Sequence, residues 1–189
     1  EDISDFPFTM AAHTLSKDFA PGWHLVGTPV VPYVELVQDN FGSLGSWGSD
    51  WVAYNVNGYY DDIDLNMGDA YYLLVSDSAS LILEGNPVIA DPDCSDCSDN
   101  SFSDSDISLN GGWNFISNPL VNKVSKDRLI VNDGSEDLEF EDAVDAGWIA
   151  PSIMGFFNDG NTYSYETIER LMPFSGYYVN ASRSLTIKF

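Results

Sequence analysis

The chain contains very little positive charge. Seven Lys and Arg residues stand against thirty Asp and Glu among 189 residues, which gives a formal net charge of −23 at pH 7. Residues 1–106 hold nineteen acidic residues and a single base, Lys17. A field of this sign repels nucleic acid, anionic membranes and, without a bridging cation, sulfated or uronate polysaccharides. The simplest interpretation of the charge is a surface adapted to solubility in salty water.

Long apolar runs are also absent. No stretch of about 18 apolar residues occurs, so we expect no membrane insertion. The first residues, Glu1 to Asp5, include neither an initiator Met nor a signal peptide, which favours a processed start and export. Hydrophobic residues make up 44% of the chain and aromatic residues 14%, which excludes disorder over the whole length.

Cysteine is limited to Cys94 and Cys97, in the acidic sequence Asp-Cys-Ser-Asp-Cys. A redox pair of this spacing usually opens a helix, whose end favours the thiolate, whereas acidic flanks oppose it. Two thiolates with no second Cys or His pair nearby do not make a zinc site. We therefore expect a local disulfide, in agreement with an oxidising, extracellular location.

The motifs of common catalytic sites are missing. Histidine is limited to His13 and His24, and a structural or exposed role is favoured for His24 on its predicted strand. No phosphate-binding loop, dinucleotide fingerprint, zinc-protease motif or basic nucleic-acid motif occurs. With thirty acidic residues, no glycosidase pair can be singled out. We expect a protein that is not an enzyme.

The sequence contains an internal repeat. Residues 22–31, Gly-Trp-His-Leu-Val-Gly-Thr-Pro-Val-Val, align with residues 112–121, Gly-Trp-Asn-Phe-Ile-Ser-Asn-Pro-Leu-Val. Residues 68–75 then align with residues 174–179 on a shared Tyr-Tyr pair. Ordered matches of this kind indicate two diverged copies of one unit.

Each copy predicts short strands joined by tight turns. The predicted elements are strands at 13–19, 107–109, 81–83 and 185–187, hairpins at Asn57-Gly58 and Asp159-Gly160, and helices from Pro32 to Gly42 and over 135–146. We expect a mainly β fold of two homologous sandwich- or barrel-like repeats with short helices, related by a pseudo-twofold axis. The expected boundaries are a first repeat in 1–85, an acidic Cys-containing linker in 86–106 and a second repeat in 107–189.

The second copy resembles a known family of repeats. The pattern Ile-x-Leu-x-x-Gly-Trp-Asn-x-Ile-Ser-x-Pro-Leu runs from Ile107 to Leu120, and Gly-Tyr-Tyr-Val follows at 176–179. This resembles the "GWNLIS-P…GYWV" repeats of bacterial secreted and cell-surface proteins, which are accessory modules of multidomain cargo of the type IX system. The first copy departs from the pattern at His24 and at Gly27-Thr28. The resemblance implies export and carries over no catalytic residue.

Calcium is the cofactor that the acidic segments predict. Four carboxylates, Asp91, Asp93, Asp96 and Asp99, lie within nine residues, and hard oxygen ligands at close spacing suit Ca²⁺. The segment lacks the Gly and the terminal Glu of an EF-hand, and a solvated acidic linker is the alternative. A second, weaker group contains Asp61, Asp62 and Asp64.

Aromatic side chains outside the paired positions are the candidates for stacking on sugar rings. These candidate ligand-binding residues are Trp47, Trp51, Tyr59, Tyr60 and Trp148. Packing of the same side chains over loops is the alternative for each. Trp23 and Trp113 match each other in the repeat, and we expect both of them in the core.

The sequence therefore predicts a non-catalytic extracellular binding module, attached to a secreted enzyme or a cell-surface protein. Its expected partner is a neutral glycan or a neighbouring protein domain. The alternative is a structural or adhesive subunit that self-associates, as in a stalk or filament. A specific ligand would bind on the unshared surface of the first copy or at the seam between the copies.

Overall fold

The computed structural model describes residues 13–55, 58–59, 64–88 and 105–189. The protein is mainly β in these ranges, as predicted, and its strands form several antiparallel sheets. We refer to residues 13–88 as the first half and to residues 105–189 as the second half. Among the described residues, no helix is long and apolar enough to cross a membrane.

The first half contains two sheets. Its strands are β1 His13–Phe19, β2 Gly22–Val26, β3 Val30–Pro32, β4 Trp51–Asn55, β5 Gly58–Tyr59, β6 Tyr71–Val75 and β7 Ala79–Pro87. One sheet has the order β1-β7-β3 and the other the order β2-β6-β4-β5. Helix α1 covers Val37–Asn40, and a 3₁₀ turn covers Gly42–Leu44.

The second half contains two four-stranded sheets and a small two-stranded one. Its strands are β8 Ile107–Leu109, β9 Gly112–Ser117, β10 Val124–Ser125, β11 Ile130–Asn132, β12 Asp137–Glu139, β13 Ile153–Asn158, β14 Tyr163–Ile168, β15 Arg170–Leu171, β16 Gly176–Ala181 and β17 Leu185–Lys188. The orders are β12-β11-β17-β8, β14-β13-β16-β9 and β10-β15. Helix α2 covers Phe140–Asp145, and a 3₁₀ turn covers Lys126–Arg128.

Each half has its own apolar core, because side chains alternate between the two faces of a strand. In β6, Tyr71, Leu73 and Val75 are buried and the residues between them are half-exposed. One core cluster is built from the first half and the other from the second half. Phe174 is the exception among the buried side chains, since this second-half residue packs in the first-half core.

Several sequence predictions are confirmed. Strands β1 and β8 have the predicted bounds, and the apolar runs at 81–83 and 185–187 lie in β7 and β17. Strand β7 continues to Pro87, and Val88 packs against the second-half core.

The predicted helices are shorter than expected. Pro32 does not start a helix, because it ends β3, and α1 begins only at Val37. A proline can occupy this strand because β3 is at the edge of its sheet. In the second half, β12 takes the first residues of the predicted helix, and α2 covers only Phe140–Asp145.

Both predicted hairpins are present, but in neither does the Asn-Gly or Asp-Gly pair form the predicted two-residue turn, because Gly58 is a strand residue of β5 and the second loop is longer. In β13 and β14, Asn158 lies opposite Tyr163, so the loop has four residues rather than the two of a type I′ turn. Asp159 stabilises this loop, because its carboxylate accepts hydrogen bonds from the backbone N–H groups of Asn161 and Thr162. In the first half, Asn55 lies opposite Gly58.

Candidate functional site

The tryptophans of the Gly-Trp motifs point away from the core, which corrects the prediction that Trp23 and Trp113 both lie in it. Val26 and Ile116 end their motifs with buried side chains. A residue three positions earlier in a strand faces the opposite side, because the pleat has a period of two. Trp23 and Trp113 therefore lie on the outer faces of their sheets. Trp23 is half-buried, and Trp113 is 65% exposed.

Aromatic side chains cover these outer faces and meet where the two halves join. We call the following group the aromatic surface: Trp23, Tyr54, Tyr72, Trp113, Phe115, Phe156, Tyr163, Tyr165 and Tyr178. The first-half part is a tight cluster in which the rings of Tyr54 and Tyr72 stack at a centroid distance of 5.0 Å. The ring of Trp23 contacts Tyr54 edge-on at 5.6 Å.

Tyr72 joins the aromatic side chains of the two halves. Its ring centroid lies 5.8 Å from that of Phe115 and 6.0 Å from that of Phe156. Its hydroxyl is hydrogen-bonded to the hydroxyl of Tyr178. Direct contacts between aromatic side chains therefore connect the outer face of the first-half sheet with that of the second-half sheet.

The second-half part extends along the β13–β14 hairpin. The rings of Phe156 and Tyr163 stack at 5.6 Å, and Tyr165 contacts Phe156 at 5.2 Å and Tyr178 at 5.5 Å. Tyr163 is 52% exposed and Tyr165 is 56% exposed. The outer part of the aromatic surface is thus open to solvent, while its centre is half-buried between the halves.

The same faces carry no charge. Following the two-residue period, they present Trp23, Leu25, Val52, Tyr54, Tyr72 and Leu74 in the first half, and Trp113, Phe115, Met154, Phe156, Asn158, Tyr163, Tyr165, Thr167, Tyr178 and Asn180 in the second. None of these residues is charged, although the chain has a net charge of −23. The polar groups at this surface are hydroxyls and amides, which both donate and accept hydrogen bonds.

The phenol of Tyr178, at the centre of this surface, has a raised pKa. Burial, together with the neighbouring Tyr54, raises the pKa of Tyr178 to about 12.

The backbone N–H of Trp23 donates to the hydroxyl oxygen of Tyr163 at 3.3 Å, and Asn158 donates to the carbonyl of Pro21 at 3.1 Å. These two bonds fix the β13–β14 hairpin against the first half.

Two of the tryptophans predicted to bind ligand lie in the cores. Trp51 is 2% exposed and Trp148 is 6% exposed, so neither presents a face for stacking on a ligand. Trp51 is held by a hydrogen bond from its indole N–H to the carbonyl of Gly45, and Arg183 lies over the ring of Trp148. Trp47 is half-buried and packs edge-on against Trp51 at 4.7 Å, which is the packing role considered as the alternative.

Of the other predicted site residues, only Tyr59 lies within the described ranges. Tyr59 lies in β5, where its backbone pairs with that of Tyr54 on the same sheet. Tyr60, the calcium candidates Asp91, Asp93, Asp96 and Asp99, and the cysteines Cys94 and Cys97 all lie outside the described residues. The calcium site and the disulfide therefore remain predictions.

The ring of His24 makes its contacts within the protein. Its ring nitrogen Nε2 lies 2.7 Å from the carbonyl oxygen of Ala20, and its ring contacts Phe19 at 4.8 Å. Burial lowers the pKa of His24, with a smaller contribution from the charge of Lys17. Across the described ranges, no group of three His, Cys, Asp or Glu residues is placed to hold a metal ion.

Sequence reasoning missed Tyr163 and Tyr165, although a signal was present. The segment Tyr163-Ser-Tyr165-Glu-Thr167 alternates aromatic or β-branched residues with polar ones, which is typical of a strand with one apolar face. The hairpin prediction stopped at the turn and did not follow this alternation into β14. The exposed aromatic residues are consequently found beside the repeat-matched positions rather than in the unmatched loops.

Comparison of the chain with protein-family models, with curated proteins and with solved structures gives no match.

Proposed function

We propose that this protein is a secreted, non-catalytic binding module that holds a neutral glycan on the aromatic surface. The proposal includes a fold made of two diverged sandwich-like copies that face each other across a pseudo-twofold axis. Export is supported by the resemblance to the repeats of bacterial secreted proteins.

The sheet orders support two copies. Three pairings of the first half, β1–β7, β2–β6 and β4–β6, correspond in chain order to β8–β17, β9–β16 and β13–β16 of the second half. Local hydrogen bonds also correspond. The backbone N–H of Asn66 donates to the hydroxyl of Tyr71, as that of Met172 does to the hydroxyl of Tyr177, five residues apart in both cases.

Contacts between matched residues support the pseudo-twofold axis. In a symmetric interface, a residue near the axis contacts its own counterpart. Tyr72 contacts its counterpart Tyr178 through the hydroxyl groups. Gly27 lies so close to its counterpart Ser117 that a Cβ at Gly27 would overlap the Ser117 side chain. The aromatic surface is thus centred on the line about which the two copies are related.

The observation that carries the glycan proposal is a broad aromatic face that is uncharged in a strongly acidic protein. Sugar rings stack their C–H faces on aromatic rings, and their hydroxyls need both donors and acceptors. Trp113 and Tyr165 are each more than half exposed, and Asn180, Thr167 and the tyrosine hydroxyls supply polar partners. An acidic surround disfavours anionic polysaccharides, which leaves neutral chains.

The test is affinity electrophoresis and calorimetry on a panel of neutral glucans, mannans and xylans. Trp113→Ala and Tyr165→Ala should each weaken binding at least tenfold, which corresponds to about 1.4 kcal/mol. Phe157→Ala is the matched control, because Phe157 is 44% exposed on the opposite face of the same hairpin. This control should bind as the unmodified protein does.

Two results would contradict the proposal. Unchanged affinity in both Trp113→Ala and Tyr165→Ala would show that the glycan binds elsewhere. Trp47→Ala then tests the loop that the sequence suggested. Failure of the unmodified protein to bind any neutral glycan, in the presence or absence of Ca²⁺, would remove the carbohydrate assignment altogether.

A further inference from the structure

Lys17 occupies a position in β1 where the fold normally places an apolar residue. Leu15, Lys17 and Phe19 alternate onto the same face of this strand, and both neighbours of Lys17 pack on the first-half core. In the ladder, Lys17 lies opposite Leu81, which is fully buried. The Lys17 side chain itself is exposed, so its ammonium group reaches solvent from this face.

The second copy shows what the position holds in an ordinary core. The alignment of Gly22 with Gly112 matches Lys17 with Ile107, which is 7% exposed and packs over Gly68. The counterpart of Gly68 in the second copy is Phe174, which packs into the first-half core. The pair Gly68 and Ile107 thus corresponds, in the alignment, to the pair Phe174 and Lys17. Where one pair combines a small residue with an isoleucine, the other combines a phenylalanine with a lysine.

A cleft of about 740 Å³ opens at Lys17 between the two halves. One wall is formed by residues 15–20 of the first half, and the other by residues 156–159 and 172–175 of the second. Phe19 and Phe174, both nearly buried, and the half-buried Phe156 provide aromatic lining. Met172 is 47% exposed and lines the same cleft. The volume lies in the range of small-molecule sites, about 300 to 1,000 Å³.

The ammonium group of Lys17 has no ion-pair partner among the residues that the structure describes. Lys123, Arg128 and Arg170 likewise form no ion pair within the described ranges, but Lys17 is the one of these four that lines the cleft. The acidic groups that line the cleft are bonded within the protein. Asp18 accepts a hydrogen bond from the hydroxyl of Ser80, and Asp159 accepts the bonds that close the β13–β14 loop. His24 also lines the cleft, and burial lowers the pKa of this side chain.

We propose that this cleft binds a small organic carboxylate, with the carboxylate on the Lys17 ammonium and the apolar body against Phe156 and Phe174. An ammonium group beside a carboxylate forms a charge-assisted hydrogen bond, which is stronger than a neutral one. The cleft shares Phe156 with the aromatic surface, but Lys17 lies outside that surface, and the existence of this site does not depend on the glycan proposal.

The acidic field of the whole protein does not prevent this contact. At physiological ionic strength the Debye length is about 8 Å, so distant carboxylates are largely screened. The direct contact with Lys17 acts at hydrogen-bond distance and is screened much less. Large polyanions would still be repelled, because they would extend out of the cleft over the acidic surface.

The experiment measures binding of benzoate and phenylacetate to the full chain by saturation-transfer NMR and calorimetry, with benzyl alcohol as the neutral analogue. The two carboxylates should bind, and the neutral analogue should bind at least tenfold more weakly. Lys17→Ile should abolish the preference for the carboxylate. This variant is compatible with the fold, because the second copy has Ile107 at the matched position.

Two further variants keep the test decisive. Lys17→Arg retains a cation and should keep the preference for carboxylates, whereas Lys123→Met removes an exposed lysine outside the cleft and should change nothing. Equal binding of benzoate by the Lys17→Ile variant and the unmodified protein would overturn the proposal. So would the absence of benzoate and phenylacetate binding to the unmodified chain, whatever the result with glycans.

Discussion

Phe174 offers the sharpest test of how the two halves hold each other. Its side chain comes from the second half but is 7% exposed within the first-half core. Its backbone has a φ of 60°, and it is the one non-glycine residue with positive φ in the described ranges. The matched residue of the first copy is Gly68, with a φ of 86°. Phe174 therefore combines favourable packing with an unfavourable backbone conformation.

The two contributions can be separated by substitution. Removing a buried phenylalanine side chain costs about 3 to 5 kcal/mol. Because Phe174 also borders the cleft, we expect Phe174→Ala to lie at the lower end, about 3 kcal/mol. Alanine keeps the left-handed strain of about 1 to 2 kcal/mol, whereas glycine relieves it. Phe174→Gly should therefore be no less stable than Phe174→Ala, and up to about 1 kcal/mol more stable, despite the usual disadvantage of glycine.

Urea unfolding followed by tryptophan fluorescence and by circular dichroism measures both free energies. The two probes should report one shared transition in the unmodified protein, because Phe174 joins the two cores. Phe157→Ala, at a more exposed site, should cost less than about 1 kcal/mol. A Phe174→Gly variant that is less stable than Phe174→Ala by 1 kcal/mol or more would refute the strain argument. A loss below about 1 kcal/mol in Phe174→Ala would refute its role in the core.

Two more predictions concern the contact between the halves and the pH dependence of stability. Gly27→Ala should cost about 2 to 3 kcal/mol in urea unfolding, because the new Cβ overlaps Ser117, and adding Ser117→Gly should recover more than half of the loss. Purely additive effects would show that these residues do not share a contact. Burial lowers the pKa of His24, so the unfolded chain binds the proton more readily than the folded one. Stability should consequently fall as pH drops through the ordinary histidine pKa of about 6.5 towards the lowered value in the fold. In His24→Asn, which introduces the residue of the matched Asn114, this part of the pH dependence should disappear, and equal changes between about pH 7.5 and about pH 5.5 in both proteins would contradict the assignment.

The Gly-Trp motif shows where inference from sequence went wrong. A tryptophan that is matched in both copies was expected in the core, yet Trp113 is 65% exposed. The strand period already places Trp23 and Trp113 on the face opposite Val26 and Ile116. Identity between the two aligned segments therefore reflects a shared strand geometry rather than burial.

Leu25 shows the converse case. By the strand period it shares the outer face of β2 with Trp23, yet it is only 4% exposed. The cause is a contact between the halves, because Gly176 of the second half lies against Leu25. No pattern within one strand could have predicted this burial.

The sequence by itself determined the mainly β character, the bounds of β1 and β8 and the presence of two hairpins. Alternating apolar residues, Gly-Trp steps and Asn-Gly or Asp-Gly turns act through the backbone of a few neighbouring residues, so these features can be recognised locally. Tertiary structure decided which outer faces are exposed, how Phe174 enters the other half and why Lys17 borders a cleft. Those outcomes depend on contacts between residues far apart in the chain, and the fit of two packed surfaces is not encoded in the periodicity of either one.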